Sequence, residues 1–326
     1  MAADATGRHP GDEATWHDRV RGCLLGGALG DAIGAPFEGT VVVQAGRLDR
    51  LLRDPTVLTW TDDTALQVAT AAYLAGLERW SAFDDDDHAR ALARAWAAAP
   101  DLGYGPNPPR IFRTVLDGGD WRAAASESFG GTGSLGNGGE MRAAPLGALP
   151  ADLDVVAGLA RRAASVTHAH PVGQDGAALV AVVCALALAT PADRPLEPSA
   201  VVARCLGFLE TTEMRDAVAA VPDTLELAAP VAVSRVTGNG VAAHESVPAA
   251  LAAFLRHPRE PLQAVRFAVL MAGDTDTVAA VAGSLAGAVA GARALPARLL
   301  DRLEDRSVIE QVAGALSART APAVHT

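Results

Sequence analysis

Cysteine and aromatic residues are scarce in this chain of 326 residues. The three cysteines, Cys23, Cys184 and Cys205, lie in apolar helical patterns, and no CxxC pair occurs. An odd set of this kind argues against a disulfide framework and indicates buried thiols in a reducing compartment. Only 4% of the residues are aromatic, and alanine, valine and leucine dominate the hydrophobic half of the chain. Because alanine and leucine favour helices, this composition predicts a helical protein with a sizeable core.

Blocks of basic residues are also absent from the chain. The formal net charge is −11, and an acidic chain repels the phosphates of nucleic acids. The charge therefore argues against broad DNA or RNA binding, although a local basic pocket could hold a single phosphate group.

No hydrophobic run predicts a membrane span. The run at residues 177–190 is shorter than the ~20 residues that cross a bilayer, and the run at 278–292 consists mostly of alanine and glycine. The first eleven residues are polar, include Asp4 and lack the apolar centre of a secretory signal. These features predict a cytoplasmic protein with no membrane partner.

Helical periodicity recurs along the chain, whereas convincing period-2 alternation is absent and only residues 41–43 suggest a short strand. A first helix is expected with Thr15 as its N-cap, and further helices are predicted at 64–80, 87–99, 153–166, 176–190, 198–210, 212–220, 247–256, 261–271 and 276–292. No linker or fixed-period repeat divides the chain. We predict an all-α fold, a single compact orthogonal helix bundle over residues 15–318, with disordered segments at 1–14 and 319–326. A monomer is the default expectation.

Residues 22–38, which follow the expected start of the first helix, are rich in glycine. Gly26, Gly30 and Gly34 are four residues apart and share one helix face, although each glycine costs a helix about 1 kcal/mol relative to alanine. This spacing predicts very close packing against another backbone. Asp31 and Glu38 lie among apolar residues of the same segment and need partners if they are buried. A tightly packed helix followed by a proline turn also accounts for this segment alone.

Two clusters of aspartate and threonine each precede an apolar helix. Their members are Thr61, Asp62, Asp63, Asp274, Asp276 and Thr277. A helix cap needs only one such side chain, and adjacent carboxylates repel each other unless a cation lies between them. Carboxylate and hydroxyl oxygens suit hard cations such as Mg²⁺ and Mn²⁺. We therefore predict that the two clusters face each other and hold two divalent ions, with Glu38 as a further carboxylate.

Residues 129–147 form a second glycine-rich segment. It contains G-x-G-x-x-G at Gly131, Gly133 and Gly136, but a dinucleotide-binding turn needs a hydrophobic strand before it and a long helix after it. Neither is present, so we reject that interpretation. The remaining interpretations are a loop whose backbone N–H groups hold phosphate oxygens and a flexible surface loop. Arg142 could pair with an acidic neighbour or with a ligand.

Two smaller features carry weaker signals. The pair His168 and His170 has no third histidine or cysteine nearby to complete a zinc site. A structural histidine, or one that contacts a ligand, is the better interpretation. Four consecutive aspartates at 84–87 begin a predicted helix and are interpreted as solvated partners of its dipole.

Together these motifs resemble the ADP-ribosylglycohydrolase family, which includes the dinitrogenase-reductase-activating enzymes, over about residues 18–292. The segments that carry the resemblance are 26–31 with Glu38, 61–63, 134–138 with Met141 and Arg142, 167–168, and 273–277. The resemblance implies an all-α bundle with a binuclear metal cleft that binds two Mg²⁺ or Mn²⁺ ions, and the matching ligand positions are Thr61, Asp62, Asp63, Asp274, Asp276 and Thr277. It also implies a loop that holds diphosphate and ribose, formed by Ser134, Leu135, Gly136, Asn137 and Gly138. His168 matches a substrate-contacting histidine. Leu135 departs from the pattern, because some relatives carry an aromatic residue there.

The activity implied by the resemblance is hydrolysis of the glycosidic bond between ADP-ribose and a modified acceptor. The expected partner is an ADP-ribosylated protein that carries the group on a side chain such as arginine or serine. Divalent ions would hold the ribose hydroxyls and lower the pKa of water, and the bond breaks through an oxocarbenium-like state. Glu38 is the expected carboxylate that orients or deprotonates the water, and Asp63 or Asp276 could share that role.

Several alternatives stay open from the sequence. The substrate could be a small ADP-ribose derivative or an ADP-ribosylated nucleic acid, although the acidic net charge mildly disfavours the latter. A catalytically silent ADP-ribose-binding protein is a different class, against which the unreplaced ligand positions argue. A metal-dependent phosphatase would need no ribose-binding loop.

Overall fold

Nearly all regular structure in the computed structural model, which describes residues 13–321, is α-helical. In chain order the helices are α1 (Glu13–Gly34), α2 (Ala45–Arg53), α3 (Asp62–Gly76), α4 (Asp85–Ala98), α5 (Pro108–Leu116), α6 (Trp121–Ser126), α7 (Ser128–Gly131), α8 (Leu153–Ser165), α9 (Pro171–Ala189), α10 (Pro198–Leu206), α11 (Thr212–Ala219), α12 (Val221–Thr224), α13 (Pro230–Thr237), α14 (Ala243–Arg256), α15 (Pro261–Leu270), α16 (Thr275–Ala290), α17 (Ala297–Leu300) and α18 (Arg306–Thr320). Within residues 13–321 no strand forms, and the β pairings are isolated bridges, Thr40–Gly273, Leu58–Leu303 and Gly136–Ala242. The predicted all-α fold is confirmed.

Several predicted boundaries differ from those observed. Helix α1 begins at Glu13, two residues before the predicted cap Thr15, and α18 extends to Thr320, inside the tail predicted to be disordered. The rest of that prediction, residues 1–12 and 322–326, lies outside the described residues. Residues 41–43 form no strand, and Val41 is 91% exposed.

Helices α9 and α16 form the centre of the core. Almost every residue of both is buried. By length and composition alone the 19-residue α9 could cross a membrane, but 83% of its most apolar window is buried inside the protein, as in the core helix of a globular protein. The helix predicted at 176–190 is too short at its N-terminus, because α9 already begins at Pro171.

Helices α1 and α16 are in backbone contact along a glycine seam. A Cβ placed on Gly26 would lie 2.3 Å from the carbonyl oxygen of Gly283, and a Cβ on Gly30 would lie 2.1 Å from that of Ala279. These distances are too short for any side chain, so the predicted close approach to another backbone is confirmed. What the sequence did not reveal is that the partner is α16, about 250 residues away in the chain.

This seam places the two acidic clusters side by side. The second cluster begins α16, and the Thr275 hydroxyl donates a 2.9 Å hydrogen bond to the carbonyl oxygen of Gly34 at the end of α1. Asp31, one turn earlier in α1, contacts the start of α3, which carries the first cluster. The fold therefore builds the site from the ends of α1, α3 and α16.

A Gly30→Ala substitution should destabilise the protein by roughly 3 kcal/mol, because its methyl group would overlap the backbone of α16 and force the helices apart. Thermal or urea unfolding measures the effect. The matched control is Gly158→Ala within α8, where nothing lies within 4 Å of the added methyl. This control should raise the stability by up to about 1 kcal/mol, since alanine favours helices. Equal effects of the two substitutions would contradict the seam.

Candidate active site

A cleft of about 210 Å³ opens where α1 ends and where α3 and α16 begin. Its walls contain most of the residues singled out from the sequence, namely Glu38, Asp62, Asp63, Ser134, Gly136, Asn137, Gly138, His168, Asp274, Asp276 and Thr277. Two predicted site residues, Thr61 and Leu135, do not line it. The structure therefore unites the two acidic clusters, the glycine-rich loop and the histidine in one cavity.

Asp31 fixes the start of α3. Its fully buried carboxylate accepts hydrogen bonds of 2.6–3.1 Å from the backbone N–H and hydroxyl groups of both Thr61 and Thr64. Burial raises the pKa of Asp31 to about 6, although these donors oppose the shift. The Thr61 hydroxyl is thus directed at Asp31, which explains why this predicted metal ligand does not line the cleft. The sequence showed that Asp31 needed a partner but not that it positions this cluster.

In the first acidic cluster Asp62 is half-buried and Asp63 is almost fully withdrawn from water. Asp63 is 3% exposed, and its Oδ1 has no hydrogen-bond partner among the described residues. Burial, followed by the negative charges of Asp31 and Asp276, raises the pKa of Asp63 well above its usual value. The pKa of Asp62 is raised to about 7 by the same causes.

The second cluster faces the first across the cleft. The Thr277 hydroxyl donates a 3.4 Å hydrogen bond to the Asp63 carboxylate. The backbone N–H of Thr277 donates to the Asp276 carboxylate at 3.0 Å. Asn137 of the glycine-rich loop donates to the carboxylate of Asp274. Burial and then the charge of Asp274 raise the pKa of Asp276 to about 7. The two clusters therefore meet, as predicted from their repetition in the sequence.

These acidic residues fit a divalent cation site. Oxygen atoms of Glu38, Asp274 and Asp276 all lie within 4.8 Å of one another. Among residues 13–321, no arginine or histidine forms an ion pair with these three carboxylates or with those of Asp62 and Asp63. Buried carboxylates without a positive partner are costly, and hard cations supply the missing charge. Among these residues, the buried and unpartnered Oδ1 of Asp63 is the observation that best fits coordination of a cation.

The glycine-rich loop is held in place by the segment before α14. The backbone N–H of Asn137 donates to Val241, and that of Ala243 donates to Leu135. The backbone N–H of Gly136 donates a 3.2 Å hydrogen bond to the Ser134 hydroxyl. Within the described part of the chain, the N–H groups that remain free in residues 134–138 are those of Ser134, Leu135 and Gly138. The loop thus offers fewer donors for phosphate oxygens than its glycine content suggested.

His168 lies beneath this loop. A Cβ on Gly138 would be 2.8 Å from Cε1 of the imidazole, so only glycine permits this stacking. Burial, with a contribution from the charge of Arg142, lowers the pKa of His168 to about 3. The ring is therefore neutral at physiological pH. His170 instead caps α9 by accepting from Val172, so the two histidines do not form a zinc pair.

Other parts of the cleft wall escaped sequence analysis. One is the loop that leads into α5, with Gly103, Gly105, Pro106, Asn107 and Pro108. Its glycines and prolines are typical of a loop but carry no signal for its place beside Asp62. Further lining residues are Phe129 and Val241, which are 59% and 66% exposed. Leu135, which departs from the family pattern, is 40% exposed and lies outside the cleft.

Comparisons with known proteins agree with this geometry. The family model described as ADP-ribosylglycohydrolase matches residues 12–324. ADP-ribosylhydrolase ARH3 of Mus musculus is 33% identical over 315 residues, which cover 82% of this chain and 82% of the relative. ARH3 of Homo sapiens is also 33% identical, over 308 residues that cover 82% of this chain and 84% of the relative.

A solved structure supports the same assignment. An ADP-ribosylglycohydrolase-related protein complex contains a chain that is 29% identical in sequence and has a TM-score of 0.70. The match covers 94% of this chain and 99% of that chain. The family model and the relatives each cover most of this chain. They show that it belongs to the ADP-ribosylglycohydrolase family of ADP-ribosyl hydrolases.

Proposed function

We propose that this protein uses two divalent ions, Mg²⁺ or Mn²⁺, to hydrolyse the glycosidic bond between ADP-ribose and a modified protein side chain such as arginine or serine. The observation that carries the proposal is the convergence of carboxylates without positive partners at one end of the cleft, next to the glycine-rich loop. The carboxylates suit the ions and the reacting ribose, and the loop suits the diphosphate.

The ions would be held by the carboxylates of Asp62, Asp63, Asp274 and Asp276, with the Thr277 hydroxyl beside them. The Thr61 hydroxyl, which donates to Asp31, would contribute only through a remaining lone pair. When bound, divalent ions orient ribose hydroxyls and lower the pKa of water. The ligand set is the one that the family resemblance implies.

Glu38 is the residue we assign to activate water. It lies in the turn that follows α1, is exposed to the cleft mouth and has oxygens near those of Asp274 and Asp276. Burial of part of the side chain, with the charges of Asp276 and Asp31, raises its pKa. A raised pKa makes this carboxylate a stronger base, as general base catalysis at neutral pH requires.

A Glu38→Gln variant should lose roughly 10²-fold or more in kcat, because glutamine cannot accept the proton. The comparison is made at saturating metal, with occupancy measured by calorimetry, because Glu38 contributes an oxygen to the group shared with Asp274 and Asp276 and its loss also weakens metal affinity. A variant with full turnover and bound metal would exclude Glu38 as the base. The result would then favour Asp63 or Asp276.

The proposed function is tested by release of free ADP-ribose from a panel of substrates. The panel contains ADP-ribosylated arginine, serine and nucleobase acceptors and a small ADP-ribose ester, each with Mg²⁺, with Mn²⁺ and with a chelator. We expect metal-dependent release from a protein side chain. Release only from the small ester or the nucleobase would replace the proposed acceptor class. No release by folded, metal-loaded protein would favour the silent ADP-ribose-binding alternative.

A further inference from the structure

Arg142 is a buried cation with no acidic partner. It is 1% exposed, and its guanidinium donates to the carbonyl oxygens of Gly138 at 2.5 Å and Ala163 at 3.2 Å. A third bond, of 2.8 Å, goes to the Thr167 hydroxyl. Because a guanidinium has only donors, Thr167 must accept this hydrogen bond.

Among residues 13–321, the Thr167 hydroxyl has one other hydrogen-bond partner, Nδ1 of His168 at 2.8 Å. If Nδ1 carried the ring proton, Thr167 would accept from both sides and its own proton would have no acceptor among the described residues. An unused donor in the interior loses its hydration without compensation. The satisfied arrangement is the one in which Thr167 donates to an unprotonated Nδ1.

The ring proton of a neutral His168 then lies on Nε2. A Cβ on Gly138 would lie 3.2 Å from Nε2, and one on Gly136 would lie 3.5 Å from it, so this nitrogen sits directly under the loop. Nε2 has no hydrogen-bond partner in residues 13–321, and His168 lines the cleft. The N–H is therefore available to a ligand.

We propose that Arg142 and Thr167 are positioning residues that hold His168 as the Nε2–H tautomer, so that it donates a hydrogen bond to an oxygen of bound ADP-ribose. The ligand in this statement rests on the proposed function, whereas the tautomer rests on the hydrogen-bond chain alone. Arg142 also donates a hydrogen bond to the carbonyl oxygen of Gly138 in the loop. One side chain therefore holds both the loop and, through Thr167, the imidazole of His168.

The tautomer is measured by ¹⁵N NMR of protein labelled at histidine, with the His168 signals assigned from a His168→Gln variant. In the wild type we expect a protonated Nε2 and an unprotonated Nδ1, with no titration between pH 5 and 8. Thr167→Val removes the donor to Nδ1 with little change in shape. It should shift the proton toward Nδ1 and weaken ADP-ribose binding by roughly tenfold.

Two variants separate this role from a general loss of packing. Thr167→Ser keeps the hydroxyl and should retain the tautomer and bind ADP-ribose within about twofold of the wild type. Thr70→Val alters a similar buried pair, since the Thr70 hydroxyl lies 3.3 Å from Nε2 of His88, outside the cleft. It should leave the His168 signals and ADP-ribose binding unchanged.

A wild-type spectrum with the proton on Nδ1 would overturn the proposal. So would a folded Thr167→Val variant that keeps both the wild-type tautomer and the wild-type affinity. The spectrum requires no turnover, so a failure of the substrate panel and a failure of this proposal are separate results.

Discussion

An Asp276→Asn variant should release ADP-ribose roughly 10³-fold more slowly than the wild type at the same Mg²⁺ concentration. Asp276 contributes to the group of oxygens shared with Glu38 and Asp274 and faces the first cluster near Asp63. Losing one charge from this group weakens the hold on cations that contribute several kcal/mol to the transition state, and each 1.4 kcal/mol changes the rate tenfold.

The measurement is kcat/KM over a Mg²⁺ titration, with bound metal determined by calorimetry in parallel. Asp101→Asn is the matched control, because Asp101 is an exposed aspartate in the loop before α5 that does not line the cleft. This control should match the wild type within about twofold. If Asp276→Asn kept wild-type kcat/KM and metal affinity, Asp276 would not be a ligand of the proposed metal site.

An Asp63→Asn variant should be more stable than the wild type when metal is absent, even though it loses activity. The pKa of Asp63 is raised well above its usual value by burial and by Asp31 and Asp276. A carboxyl with a raised pKa contributes stability that is present when it is protonated and lost as the pH rises from its unfolded value through its folded value. Asparagine cannot ionise, so the variant does not incur this loss.

The pH window follows from the neighbouring carboxyls. The pKa values of Asp62 and Asp276 are about 7, while unfolded aspartate titrates near pH 4. In a chelator, the unfolding free energy of the wild type should therefore fall between about pH 4 and pH 7. Because the pKa of Asp63 is raised in the same direction, we expect the variant to have the higher unfolding free energy at pH 8, by a margin that grows as the pH rises from about 4.

Added Mg²⁺ should reverse this order at pH 8, because a ligand that binds the folded state stabilises it and the wild type binds more tightly. The melting temperature measured with and without chelator at several pH values gives all of these comparisons. Asp175→Asn serves as the control, since that buried carboxylate pairs with Arg161 and accepts from Thr211. It should be destabilising with or without metal. An Asp63→Asn variant less stable than the wild type in chelator at pH 8 would contradict the electrostatic argument.

The sequence predicted those parts of the site whose chemistry is local. Thr61, Asp62 and Asp63 are adjacent in the chain. The sequence alone therefore shows that they are more than a helix cap needs and that the two carboxylates repel each other. The same holds for Asp274 and Asp276, and their repetition correctly indicated that the clusters meet. The glycine spacing in α1 predicted a close backbone approach for the same reason.

What the sequence could not supply depends on long-range contacts. The direction of the Thr61 hydroxyl is set by Asp31, thirty residues earlier, and that of Arg142 by Thr167. The glycines and prolines of residues 103–108 are typical of a loop, but only tertiary packing places this segment at the cleft. Short helices such as α2 and α13 were missed because eight or nine residues show little more than two turns of the helical period.

The glycine seam also has a consequence for biosynthesis. The bare face of α1 leaves the ribosome early, yet its partner α16 is made only after residue 274. Until α16 is made, the glycine face of α1 has no backbone to pack against. No contact then brings the two acidic clusters together. Closing so long a loop is slow, so we expect the acidic cleft to form late in folding. A nascent chain released before residue 274 would contain Glu38, Asp62 and Asp63 but neither Asp274 nor Asp276, so its acidic cleft would be incomplete.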